Sequence, residues 1–138
     1  MTEPINGACF CGAITYRIDG PLIKARSCHC SRCRKAFSAQ ASAYARVNPG
    51  TFRWTSGEDG LRTYASQEGF GLQFCGTCGS TLCGTWQGEV HGVTLGCLNG
   101  DPPVEIGMHI WVGSKAGWEK LPEGIEVWQE GPPDSADL

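Results

Sequence analysis

Apolar and polar residues alternate with period two along most of this chain. Ala13-Ile14-Thr15-Tyr16-Arg17-Ile18 sets the pattern of a half-buried strand, and Asp19-Gly20-Pro21 ends it. Leu22 to Arg26 reads as a second short strand leading into a cysteine-rich turn. Ser31 to Phe37 suits one or two helical turns, with Ser31 as the N-cap. Ala41 to Val47 is a further strand, stopped by Asn48-Pro49-Gly50. Thr51 to Thr55 alternates again, and Ser56 to Gly60 has the composition of a loop. Leu61–Ser66, Gly71–Phe74, Leu82–Trp86, Val90–Leu95 and Ile106–Val112 supply the remaining strands. From Glu119 onward six acidic residues face Lys120 alone, which predicts a loosely packed, solvated tail ending beyond Pro132-Pro133. The expected architecture is mainly β: one domain over residues 1–138, built from small twisted antiparallel sheets.

Composition narrows the class. Twenty glycines and 18% charged residues suit a turn-rich β protein better than a helical bundle. A net charge of −3 argues against a general nucleic-acid binder, whose affinity comes from neutralising phosphates. The first residues, Met1-Thr2-Glu3-Pro4, show neither a basic nor an apolar leader region, and no apolar run approaches a membrane span. A cytoplasmic protein without membrane partners is expected.

The cysteines change the picture most. Seven of the nine fall into three groups: Cys9-Phe10-Cys11, Cys28-His29-Cys30-Ser31-Arg32-Cys33 and Cys75-Gly76-Thr77-Cys78. Such spacings in a cytosolic chain indicate thiolates on metal rather than disulfides. Residues i and i+2 of a strand project to one face, so Cys9 and Cys11 can reach one ion. The sulfurs of a CxxC turn converge, and Gly12 and Gly79 can take the left-handed conformation such turns need. Cys9, Cys11, Cys75 and Cys78 thus form a closed four-thiolate set of the structural zinc type.

Cys28, Cys30 and Cys33 support two readings. Three thiolates can hold zinc with the fourth vertex open, as in catalytic sites, or a distant fourth ligand can close the site. Cys83, Cys97, His91 and His109 are the candidates for closure, while His29 is disfavoured because both its neighbours face the ion. A net negative site of this kind is a weak Lewis acid that prefers an incoming thiolate to water. Lys24, Arg26, Arg32, Arg34 and Lys35 crowd the same stretch, with no acidic residue among them. They either offset the thiolates or grip carboxylates of an anionic ligand. His29 and His109 are the candidate proton donors. Cys83 and Cys97 read as small buried residues, and the five tryptophans as mostly core.

These residues resemble the glutathione-dependent formaldehyde-activating enzyme family, also called the GFA or centromere protein V domain family. The resemblance lies in Gly7-Ala8-Cys9-Phe10-Cys11-Gly12, Cys28 to Lys35 and Phe74 to Ser80, with echoes at Gly96 to Pro102, His109-Ile110 and Trp118. It implies an Mss4-like β fold stapled by two zinc ions. Cys9, Cys11, Cys75 and Cys78 would hold the structural ion, and Cys28, Cys30 and Cys33 the catalytic-type ion. It also implies carbon–sulfur bond formation between glutathione and formaldehyde. Read onto these residues, Arg26, Arg32, Arg34 or Lys35 would steer the thiol substrate's carboxylates. The thiolate would add to the aldehyde carbon, and His29 or His109 would protonate the alkoxide. Ser38 replaces the family's usual glycine, and Leu98-Asn99 its leucine–aspartate pair. Two rivals stand beside this lyase-type activity. One is a non-catalytic zinc-stabilised binding module; the other is a thiol reductase, which needs Cys83 or Cys97 exposed and easily ionised.

Overall fold

A computed structural model describes residues 3–132. The alternation at the N-terminal end becomes a pair of antiparallel strands, β1 (Ile5–Ala8) and β2 (Thr15–Ile18), with Ile5 opposite Ile18 and Gly7 opposite Tyr16. Gly7 has a steric reason to be there, since a Cβ at that position would overlap the Tyr16 ring. After β3 (Leu22–Cys28), helix α1 (Ser31–Phe37) and β4 (Ser42–Val47) comes β5 (Phe52–Ser56), which pairs with β2. Tyr16 then packs against Phe52 and Trp54, with ring centroids 5.0 and 5.9 Å away.

Four more strands follow as an antiparallel meander: β6 (Leu61–Ala65), β7 (Phe70–Cys75), β8 (Thr81–Trp86) and β9 (Glu89–Thr94). Their inward residues Leu82, Cys83 and Val93 join Ile14, Tyr16, Ile18 and Val47 in one buried cluster. These strands belong to a compact unit of residues 3–23 and 45–104, and residues 24–44 and 105–132 form a second. β3 carries the chain from the first unit into the second, and β4 carries it back.

In the second unit the expectation of antiparallel sheets does not hold. β10 (Met108–Ile110) runs parallel to β3, with Ile110 opposite Cys28, and parallel to β11 (Glu126–Val127) on its other side. Parallel pairing needs a long return connection. The residues between β3 and β10 provide one.

The acidic tail also departs from its expected looseness. Trp128 donates its N–H to His109 O, Trp111 donates to Glu130 O, and Lys115 Nζ donates to Glu119 O. A run of acidic residues is not excluded from a fold when its backbone is paired, and here it is paired to about Glu130. Asp134 and Asp137 lie outside the described residues. Of the five tryptophans, read as mostly core, Trp118 is 72% exposed.

Candidate metal centres

The first cluster is assembled from two turns. Cys9 and Cys11 leave β1 in a turn closed by the Gly12 N–H donating to Cys9 O at 3.0 Å. Cys75 ends β7, and the Gly79 N–H donates to Cys75 O at 2.8 Å. Gly12 (φ +81°) and Gly79 (φ +82°) both take the left-handed conformation predicted for them. Cys9 and Cys11 sulfurs are 3.5 Å apart, Cys11 and Cys75 sulfurs 3.8 Å, and all four lie within 4.8 Å of one another. Tetrahedral zinc–thiolate bonding places sulfurs roughly 3.8 Å apart, so the donor set fits that ion.

Electrostatics agrees with the geometry. The Ser80 hydroxyl and N–H bring the Cys78 thiol down to about 5. Cys9 is lowered against the effect of its burial, by the Ile14 N–H and by Cys11 and Cys75. Cys11 is pushed up to about 11: the Ala13 N–H favours its thiolate, but Cys9, burial, Cys75 and Cys78 outweigh that contact. Some of these thiols ionise only at the expense of others, a conflict that a divalent cation removes.

The second cluster is shorter in sequence and follows from one local event, the passage of a strand into a helix. Cys28 ends β3, Cys33 sits in the first turn of α1, and their ligand atoms and that of Cys30 lie within 4.8 Å of one another. Cys30, not Ser31, is the helix N-cap: its backbone is extended (φ −64°, ψ 154°) and its Sγ accepts the Cys33 N–H at 3.2 Å. A thiolate thus does what a serine hydroxyl was expected to do. Hydrogen bonds from Cys28 and Cys33 draw Cys30 down to about 2. The Cys30 contact pushes Cys28 up to about 11, against the Cys33 contact, which lowers it, and Cys28, Cys30 and burial push Cys33 far above the thiol range. A cation held by the three sulfurs would let them ionise together.

Among the described residues no fourth His, Cys, Asp or Glu donor joins this trio at that distance. His91 lies half-buried near Arg46. The Cys83 thiol donates to Gln73 Oε1, and that of Cys97 to Thr81 O. Burial pushes Cys83 up to about 12 and also raises Cys97, the opposite of a reactive thiolate. The thiol-reductase reading loses its reactive cysteine here.

The two candidate proton carriers meet. His29 Nε2 and His109 Nδ1 are 2.7 Å apart, with ring centroids 5.0 Å apart. On the other side, His29 Nδ1 lies 3.1 Å from Glu119 Oε1. That approach is off hydrogen-bond alignment, yet neither atom has another partner among the described residues. The His29 N–H donates to Ile110 O at 2.9 Å, so the residue between two ligand cysteines is held at ring and backbone. Burial lowers the His29 imidazole, against the pull of the Glu119 carboxylate. Glu119 had no signal in sequence, appearing only as the first acid of the tail.

The four basic candidates divide. Arg26 is 2% exposed and its Nε donates to Lys24 O at 3.1 Å, which engages that nitrogen within the unit rather than presenting it at the surface. Arg32 and Lys35 are exposed on α1. Arg34 is half-buried, and its Nε is buried with no hydrogen-bond partner among the described residues.

Residues 4–114 match the family described as glutathione-dependent formaldehyde-activating enzyme. The chain belongs to that family. This member of it is similar to a crystal structure of a Rhodobacter sphaeroides protein at 28% identity, with a TM-score of 0.55 over 73% of this chain and 96% of that one. Comparison with curated proteins finds no match. Family membership and two metal-competent cysteine clusters support a family-level enzymatic or binding role.

Proposed function

We propose that the chain is a zinc-dependent carbon–sulfur lyase or synthase of Mss4-like fold, which joins a small anionic thiol, by default glutathione, to a small aldehyde, by default formaldehyde. The observation that carries this reading is a trio of thiols with, among the described residues, no fourth protein donor beside it and, on the same short stretch, a buried guanidinium nitrogen without a hydrogen-bond partner. Cys9, Cys11, Cys75 and Cys78 would hold a structural zinc ion, and Cys28, Cys30 and Cys33 a second. When bound, the second ion supplies a Lewis acid that favours the thiolate form of an incoming thiol.

The residues around it supply the rest. Arg34 Nε offers an unused donor, and Arg32 and Lys35 offer exposed charge, to the carboxylates of a glutathione-like substrate. In the reaction the sulfur lone pair forms the C–S bond, the carbonyl π pair moves to oxygen, and the thiol's proton ends on that oxygen. The linked imidazoles of His29 and His109 are the groups available to take that proton and return it. Nine cysteines without a disulfide support a reducing, cytoplasmic setting.

Cobalt substitution tests the proposal. Glutathione added to the cobalt-loaded protein should strengthen the sulfur-to-cobalt charge-transfer band, and S-methylglutathione should not. Arg34→Ala should weaken the glutathione response by roughly 1.5–3 kcal/mol, the worth of a charged hydrogen bond. No spectral change with millimolar thiol would overturn the enzyme reading in favour of a zinc-stabilised binding module.

A further inference from the structure

The contact line Glu119–His29–His109 contains more than two proton carriers in register. An ionised carboxylate only accepts hydrogen bonds, and a neutral imidazole has one N–H and one bare nitrogen. With both rings neutral, each holds one proton on one of its two nitrogens. Glu119 Oε1 is 3.1 Å from His29 Nδ1, off hydrogen-bond alignment but with no other partner for either atom among the described residues, and a carboxylate that close favours a proton on that nitrogen over a bare lone pair. His29 Nε2 is then bare. It lies 2.7 Å from His109 Nδ1, a separation that requires one proton between the two nitrogens. That proton belongs to His109, which leaves His109 Nε2 bare in turn.

We infer that Glu119 is a positioning residue that acts through His29 to set the tautomer of His109, keeping the outer His109 nitrogen as a proton acceptor. His29 is 0% exposed and His109 7% exposed, so water offers little competition for the two inner contacts. The arrangement passes a preference along a row of rings from a carboxylate at one end to a lone pair at the other. The use of that lone pair to take a thiol's proton rests on the reading proposed above; the tautomers themselves do not.

The test contains no substrate, so its failure and the failure of the proposed reaction are distinguishable. The full zinc-loaded chain, labelled with 15N, is studied by long-range 1H–15N correlation at about pH 8. There are three histidines, and His91→Gln removes one ring system and assists assignment. Wild type should show His29 and His109 both protonated at Nδ1. Glu119→Gln keeps an acceptor oxygen and should retain that pattern. Glu119→Leu removes it and should exchange the protonated and bare nitrogen signals in both rings, and Glu119→Ala should do the same if the leucine variant does not fold. A wild-type His109 protonated at Nε2, or truncation variants with wild-type tautomers, would overturn the assignment.

Discussion

The Phe10 backbone N–H donates to the Ser80 hydroxyl across 2.8 Å, joining residues seventy positions apart. The same hydroxyl lies 3.4 Å from the Cys78 sulfur and lowers its thiol. One side chain therefore ties the two cysteine turns together and favours the thiolate form of Cys78. Ser80→Ala should cost about 1 kcal/mol, the net worth of one hydrogen bond, in chemical denaturation of the metal-loaded protein. It should also release metal at a higher pH than wild type during acid titration. Unchanged denaturation and release curves would remove Ser80 from the first centre.

Metal content separates the two clusters. Purified protein should carry two zinc ions per chain by elemental analysis. Cys75→Ser should unfold the first unit, because structural zinc contributes its binding energy to folding, ~10–16 kcal/mol in small fingers. Cys30→Ser should lose one ion and keep the first unit's near-ultraviolet dichroism. Equal loss of structure in the two variants would mean that both centres are structural.

Ser38 caps α1 in the left-handed region, at φ 52° and ψ 44°, with its N–H directed to the Arg34 and Lys35 carbonyls. Residues with a Cβ lose roughly 1–2 kcal/mol there, and the greater unfolded-state freedom of glycine offsets part of the gain from removing it. Ser38→Gly should raise stability by about 0.5–1 kcal/mol in urea titration. Ser38→Ala, which keeps the Cβ, should not. A glycine variant no more stable than wild type would show that the neighbours have relieved the strain.

Those outcomes also mark what could be read from the chain. The cysteine clusters were legible because their spacing is local, though the reason given for the first pair does not hold: Cys9 and Cys11 converge on a turn after β1, not on the extended strand expected of them. Most strands were legible from alternation, and α1 runs over the predicted Ser31–Phe37. β1 was missed because Ile5-Asn6-Gly7-Ala8 is short and holds a glycine, whose reason is the Tyr16 ring across the pair. β11 was missed because Glu126-Val127 is a two-residue strand on an acidic background, held by its backbone. Glu119 was invisible for a different reason. Its partner is ninety residues earlier, and neither a motif nor a period connects a carboxylate to one buried imidazole.

Acid should weaken the fold partly through His91. Burial, then the nearby Arg46 charge, holds its imidazole below the ordinary range. Between that lowered value and about 6.5 the unfolded chain binds the proton and the folded chain does not. Stability therefore rises with pH across that window, is complete above it, and is lost as pH falls through it. Under saturating zinc, wild type should lose more thermal stability than His91→Gln between about pH 7 and pH 5.5. Equal losses would assign the acid sensitivity elsewhere.

The second unit is drawn from two stretches of chain, residues 24–44 and the segment after residue 104. A ribosome releases them at different times. By the time Cys78 has emerged, all four thiols of the first cluster are present, and so are Cys28, Cys30 and Cys33. His109 and Glu119, which lie against the ring between Cys28 and Cys30, have still to emerge. At about 5–20 residues per second the interval lasts seconds. During it the nascent chain has all four thiols of the first candidate site, while three closely spaced thiols wait without their neighbouring imidazole contacts. If the clusters hold the ions proposed for them, order of synthesis favours loading the first before the second, and exposes the other trio to whatever metal or oxidant reaches it before the last quarter of the chain arrives.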